Sequence, residues 1–346
     1  MHILIVKLSS IGDIVHALPS LAAIRRALPE AEISWVVEES VAEILRHNPL
    51  IDNLIEIDTR TIRDDKSIEE VLAGLKQIKE LRRLKPDVAI DFQGLLKSAA
   101  IAKLSGARRR FGFSGEELRE PASRFLLTDT LETPPRINVI RKNLALAAAA
   151  LEIDVADGDL EFAISTTEDH RHEAESIIEG DNFAILNPGG GWPTKLWPAE
   201  NFGELADLIW NELQIVPVLT TGPNETDLAK RASAANKTGK LIQSQPSLKG
   251  FYELAKRARV YIGGDTGPTH IAVAAATPIV GIYGPTQWWR NGSPNHKDIC
   301  VQREDVNCCG RRVCSDWVCM DIEVGKVLIA VTERIRKSDR CWIAPV

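Results

Sequence analysis

Gly264-Asp265-Thr266-Gly267-Pro268-Thr269-His270 joins an apolar run, Ala258 to Ile262, to a small-residue run with helical character, Ile271 to Ala276. A strand that ends in Gly-Gly-Asp and turns into a helix leaves backbone N–H groups without partners at the helix start. Such a terminus attracts anions, phosphates above all. Asp265 and Thr266 are natural caps, Gly267 lets a ligand approach the backbone, and Pro268 suits a first turn. The same residues also suit an ordinary capped helix in an α/β protein.

Outward from this stretch, strand and helix patterns alternate. In the first half Ile3–Val6, Ile33–Val37, Leu54–Ile57, Val88–Asp91 and Arg110–Phe113 read as strands. Helical patterns follow at Ile14–Leu28, Val41–His47, Ile68–Leu84 and Leu95–Leu104. A helix over Asn138–Leu151 stands between turn signals, and a linker is expected near 152–170. The second half repeats the scheme, with strands at Phe183–Asn187, Ile215–Thr220, Val260–Ile262 and Ile279–Tyr283. Its helices are expected at Ala199–Glu212, Glu225–Ala235, Leu248–Ala258 and Thr269–Ala275, with a last amphipathic one at Ile322–Arg336. Alternation of this kind implies βαβ units around parallel sheets. The expected fold is α/β: two Rossmann-like domains, 1–165 and 166–346, facing each other across a cleft, with the final helix packing back on the first. Ligands in such sheets bind beyond the carboxyl ends of the strands.

The 346 residues suffice for two domains, and 44% hydrophobic with 26% charged residues is the balance of a globular protein. No segment approaches the roughly 18 apolar residues of a membrane span. The chain opens on a strand-like run, His2 to Lys7, without signal-peptide regions, so a cytoplasmic location is expected. A net charge of −6 gives no general reason to expect nucleic acid as a partner. Between Phe92 and Ala145, however, ten Lys and Arg stand against five acids, a local charge of +5. This is either a solvated face or a landing site for an anionic partner. Five of the six cysteines fall between Cys300 and Cys319. Cys308, Cys309, Cys314 and Cys319 lack the paired C-x2-C spacing of a zinc site, and no metal is expected.

Three loops at strand ends bear on chemistry. Lys7-Leu8-Ser9-Ser10-Ile11-Gly12-Asp13 has one glycine, which disfavours a dinucleotide fingerprint. Asp13 either caps the helix or acts as a general base on an acceptor hydroxyl. Asn187-Pro188-Gly189-Gly190-Gly191-Trp192-Pro193-Thr194-Lys195 does not fit a P-loop. Its glycines and Lys195 can form half of a diphosphate clamp beside the Asp265–His270 helix start. Thr221-Gly222-Pro223-Asn224-Glu225 offers Glu225 either to a ribose diol or as part of a helix-start turn. His270 reads as a phosphate contact or as a structural histidine. Three nucleotide elements in one half and a carboxylate loop in the other describe a group transferase of GT-B type.

Several motifs in order resemble glycosyltransferase family 9, and within it the ADP-heptose:lipopolysaccharide heptosyltransferases. They are Ile3-Leu4-Ile5-Val6-Lys7 through Gly12-Asp13-Ile14, Trp35-Val36-Val37-Glu38-Glu39, and Asp91-Phe92-Gln93-Gly94-Leu95-Leu96-Lys97-Ser98. Arg119-Glu120-Pro121, Lys195-Leu196-Trp197-Pro198, Asp265-Thr266-Gly267 with His270, and Tyr283-Gly284-Pro285-Thr286 complete the set. The motifs of the first half look most like the type I branch. The glycine loop and cysteine cluster look more like other branches.

The resemblance implies inverting transfer of L-glycero-D-manno-heptose from ADP-heptose to a Kdo residue of the lipopolysaccharide inner core. The alternatives are a type II or related family member with another core acceptor, or a GT-B nucleotide-sugar epimerase. It implies Asp13 and Lys195 as catalytic residues. Donor contacts would come from Lys195, Thr194, Glu225, Asp265, Thr266, Gly267 and His270. Acceptor contacts would come from Ser10, Gly12, Arg60, Arg63, Gln93, Lys97 and Arg119. No cofactor is implied beyond ADP-heptose as co-substrate. The expected partners are the ADP-sugar, a lipid A–Kdo acceptor and the cytoplasmic face of the inner membrane, touched peripherally by a monomer.

Overall fold

The computed structural model describes residues 1–58, 81–114, 118, 120–155, 158, 160–306, 310–315 and 317–337. The chain divides into two compact units, Met1–Ser165 and Thr166–Val346.

In the first unit, β1 (His2–Val6), β2 (Glu32–Glu38), β3 (Asn53–Ile57), β4 (Val88–Asp91), β5 (Arg109–Phe113) and β6 (Asp129–Leu131) form one sheet. Its order is β3-β2-β1-β4-β5-β6 and every pairing is parallel. Ile3, Leu4, Ile5 and Val6 are all fully buried, as expected of a central strand covered on both faces. The second unit repeats the scheme with β7 (Phe183–Asn187), β8 (Val216–Thr220), β9 (Ile242–Ser244), β10 (Val260–Gly263), β11 (Ile279–Ile282) and β12 (Ile299–Val301). Its order, β12-β11-β10-β7-β8-β9, is the same topology, again all parallel.

In each sheet the strand order reverses once, between β1 and β4 and between β7 and β10. That crevice is where open α/β sheets bind ligands. Register makes the two strands end level in both units: Val6 pairs with Asp91, and Asn187 with Gly263. Within each unit the two loops that follow these strands therefore emerge side by side.

The sequence reading differs from the structure in places. The single helix expected over Ile14–Leu28 is two, Ile11–Val15 and Leu18–Ala27, with Pro19 opening the second. Proline supplies no N–H to a preceding turn, so the chain breaks there. Glu39–Ile44 is a 3-10 turn where an α-helix was expected from Val41, and an unexpected helix, Glu168–Ile177, begins at the end of the expected linker. The three-residue edge strands β6, β9 and β12 were not expected; runs so short carry no period. The helix expected over Ile68–Leu84 lies, but for its last residues, outside the described residues.

The last helix, Val324–Arg336, lays Val327 and Val331 on a core shared with Leu205, Ile262, Val280 and Ile282. Trp197 donates its indole N–H to the Ile322 carbonyl at 2.9 Å. Arg334 is buried and pairs with buried Asp298 at 2.7 Å. Among the described residues no helix is long and apolar enough to cross a membrane.

Candidate functional site

At the β1/β4 crevice, Ser10 caps the short helix Ile11–Val15. Its N–H and hydroxyl both donate to Asp13 Oδ2, at 3.0 and 3.1 Å. Lys7 is buried behind this turn, donating to the Phe92 carbonyl at 2.8 Å with its ammonium 3.6 Å from Asp13 Oδ1. Gln93 Oε1 accepts from the N–H groups of Leu8 and Ser9, at 3.0 and 3.3 Å, and so ties the β4 loop to the β1 loop. Fully buried Asp91 accepts from Gln93 N, Gly94 N and Ser98 Oγ, at 2.8, 3.1 and 2.9 Å. Burial pushes its carboxyl up to about 6, against these bonds and the nearby Lys7 charge. Gly94 takes φ +71, the left-handed conformation this turn requires. Lys97 reaches Glu38 at 2.9 Å.

At the β7/β10 crevice, Asp265 is the hub. Its carboxylate accepts from Lys195 Nζ at 2.7 Å and Asn291 Nδ2 at 3.1 Å, with His270 Nε2 at 3.2 Å. Burial alone would raise this carboxyl, but His270 and Lys195 hold it well below the usual carboxylate range. Thr266 caps the helix Gly267–Ala274, and Thr269 donates its hydroxyl to the Gly264 carbonyl. The N–H groups of Thr266 and Gly267 stand at the positive end of that helix. Lys195 Nζ also sits 4.4 Å from the centroid of the Trp192 ring.

Glu225 binds two loops together. Its carboxylate accepts from Gly190 N at 3.1 Å and from Gly222 N at 2.7 Å. A Cβ at Gly189 would overlap both of its oxygens, so a side chain there would have to displace the Glu225 carboxylate. Thr194 is buried and donates its hydroxyl to the Arg311 carbonyl at 2.9 Å.

The structure thus gathers Ser10, Gly12, Asp13 and Gln93 at one crevice, with Lys97 on the helix after β4. It gathers Thr194, Lys195, Asp265, Thr266, Gly267 and His270 at the other, with Glu225 beside the glycine loop. Arg60, Arg63, Arg119, Cys308 and Cys309 lie outside the described residues. Among the described residues no group of three His, Cys, Asp or Glu side chains is placed to hold a metal ion.

The sequence model of glycosyltransferase family 9 (heptosyltransferase) matches residues 75–316, well over half the chain. The chain belongs to glycosyltransferase family 9. Lipopolysaccharide heptosyltransferase 1 of Pseudomonas aeruginosa is 28% identical over 289 residues, 83% of this chain and 79% of that protein. The Escherichia coli heptosyltransferase WaaC, solved with ADP, has a TM-score of 0.80 at 24% identity, covering 96% of this chain and all of that one. The structure of E. coli ADP-heptose lps heptosyltransferase II gives 0.77 at 20% identity, over 97% of this chain and 99% of that one. These likenesses show the fold: two Rossmann-like units of GT-B type.

Within this family 9 chain, sequence reasoning passed over Lys7, Asp91 and Asn291 as site residues. Lys7 and Asp91 carried a signal: a lysine directly after a buried strand, and an aspartate ending an apolar run before Gln93-Gly94. Asn291 carried none, since its meeting with Asp265 spans 26 positions.

Proposed function

We propose that this glycosyltransferase moves heptose from ADP-heptose to a Kdo residue of the lipopolysaccharide inner core, with inversion at the anomeric carbon. The observation that carries the reading is the pairing of roles between the two crevices. One offers a carboxylate whose direction is fixed by Ser10 and Lys7. The other offers a lysine beside a capped helix start. The similarity to proteins named lipopolysaccharide heptosyltransferase 1, and to a heptosyltransferase solved with ADP, supports the donor and acceptor classes.

In this mechanism Asp13 takes the proton of the acceptor hydroxyl as that oxygen attacks the anomeric carbon. The bond to the β-phosphate breaks on the opposite face and ADP leaves with the electron pair. Lys195 and the amides of Thr266 and Gly267 stabilise the charge that builds on it. Glu225 shapes the glycine loop and is the candidate for the ribose. Gln93 and Lys97, with Ser10 and Gly12, line the acceptor side. No cofactor or metal is required in this reading. Exposed Lys103, Arg108, Arg109 and Arg124 suit a peripheral contact with an anionic membrane surface bearing the acceptor, on the cytoplasmic side.

The test is purified protein with ADP-heptose and Kdo-bearing lipid A, with and without a first heptose, read by mass spectrometry. One added heptose on the heptose-free acceptor is expected. Addition only to the acceptor that already holds a heptose would move the chain to a type II reading. Release of free sugar without acceptor would favour an epimerase or hydrolase.

A further inference from the structure

Lys195 does not meet its ligand with a spare charge. Its ammonium is committed to Asp265 at 2.7 Å, so the pair brings no net charge to the helix start at Thr266. A nucleotide-sugar diphosphate carries a charge on each phosphate and gains another as the sugar leaves. The site as described above is therefore short of positive charge.

A second cation stands at the same aromatic ring. The Trp192 centroid lies 4.4 Å from Lys195 Nζ and 4.9 Å from the Arg312 guanidinium carbon. The two charges are thus within ~9 Å of each other, a gap that one diphosphate with a charge-assisted bond of ~2.8 Å at each end spans. Arg312 is exposed, and among the described residues its guanidinium rests on that ring.

Its backbone, by contrast, is fixed to the Lys195 loop. Thr194, the neighbour of Lys195, donates its hydroxyl to the Arg311 carbonyl at 2.9 Å and accepts the Trp317 indole N–H on its own carbonyl at 3.1 Å. The segment bearing Arg312 is thereby held against the residue that presents Lys195, while the exposed guanidinium lies on the Trp192 ring. A planar fork of donors is also the group best matched to a phosphate edge.

We propose that Arg312 is a second donor-binding cation, which reaches from the Trp192 face to the diphosphate of the nucleotide sugar and supplies the charge that the Lys195–Asp265 pair lacks. This rests on Lys195 and Thr266 being the diphosphate site.

The experiment is calorimetric titration of ADP, together with steady-state kinetics against ADP-heptose, on Arg312→Gln and Arg312→Lys. Arg311→Gln and Arg290→Gln serve as controls and Lys195→Ala as reference. Arg312→Gln should weaken ADP binding and raise the donor KM by about 10- to 100-fold, the worth of a hydrogen bond to a charged group. The acceptor KM should not move, and Arg312→Lys should recover part of the loss. Because Arg311 contributes its carbonyl, Arg311→Gln should bind ADP as the parent does. Parent-like ADP binding by Arg312→Gln, with binding lost in Lys195→Ala, overturns this inference and leaves the reading beneath it standing. An equal loss in Arg311→Gln also overturns it, since the loop would then be damaged in general. Parent-like binding by Lys195→Ala removes the underlying reading itself.

Discussion

Lys7 and Asp13 face each other across the turn that leaves β1, with the Lys7 ammonium 3.6 Å from Asp13 Oδ1. The lysine side chain is 5% exposed and the aspartate 33%, so the cation is built into the unit and the carboxylate opens outward. Ser10 holds the other carboxylate oxygen through its N–H and hydroxyl. A carboxylate gripped on both oxygens points one way. That is what a base needs if it must lie within hydrogen-bond reach of one particular proton.

Asp13→Asn should therefore lower turnover by about 10²–10⁴-fold, the usual worth of a general base. ADP affinity should stay at the parent value, because the proposed donor residues all lie in the other unit. Single-turnover assays and ADP titration check the two halves of this expectation. Near-parent turnover would leave Asp13 as a helix cap and nothing more.

Lys7→Met separates direction from chemistry. A partly exposed ion pair is worth up to about 1 kcal/mol, so kcat should fall by about fivefold rather than a hundredfold. The Phe92 carbonyl also loses its donor, which costs about 1–3 kcal/mol of stability. A thermal melt beside the kinetics tests both. Turnover as low as that of Asp13→Asn would mean that Lys7 does more than orient.

Glu225→Gln tests the glycine loop. The carboxylate accepts from two backbone N–H groups, Gly190 and Gly222, whereas a glutamine offers one accepting oxygen and turns its own N–H toward the other. One unsatisfied donor costs about 1–3 kcal/mol, a drop of several degrees in melting temperature. The donor KM should rise while the acceptor KM stays. An unchanged melting temperature would show that the two loops stand without this bridge.

Asp265→Asn removes the charge that Lys195 and His270 share. Leaving the lysine without its partner should cost about 3–5 kcal/mol, the usual result of breaking a buried pair from one side. Because this carboxyl titrates below its ordinary range in the folded chain, its contribution is complete at neutral pH and fades only as the pH falls below about 4. Urea midpoints at pH 4 and pH 2 should thus differ more in the parent than in the variant.

The central strands were legible because parallel strands buried on both faces are unbroken apolar runs: Val88–Asp91 and Phe183–Asn187 have the bounds that their sequence indicates. The glycine loop, Asp265 and Asp13 could be picked out because capping and close backbone approach leave local signatures. What sequence could not give was partnership. That Glu225 reaches back 35 positions to Gly190, or that Asn291 and Lys195 meet on one carboxylate, follows from sheet order and not from any spacing along the chain. Edge strands such as β6 stayed hidden because the three residues Asp129–Leu131 carry neither an apolar run nor an alternation.

Asp91 gives the sharpest pH test. Burial raises its carboxyl from 3.8 to about 6. As pH climbs, the unfolded chain gives up this proton first, so the folded state binds more protons and loses stability between about pH 4 and pH 6. Above about pH 6 both states are ionised and the loss is constant. Two pKa units at about 1.4 kcal/mol each make it about 3 kcal/mol. In Asp91→Asn the amide oxygen still accepts from Gln93 and Gly94, and the amide N–H can donate to Ser98 Oγ, so packing is kept and the titration is gone. Urea unfolding of parent and variant at pH 4, 5, 6 and 7 should show the parent losing about 3 kcal/mol relative to the variant up to pH 6, with parallel behaviour beyond. Curves parallel over the whole range would mean that the β4 carboxyl titrates as if in water and that its three hydrogen bonds offset its burial completely.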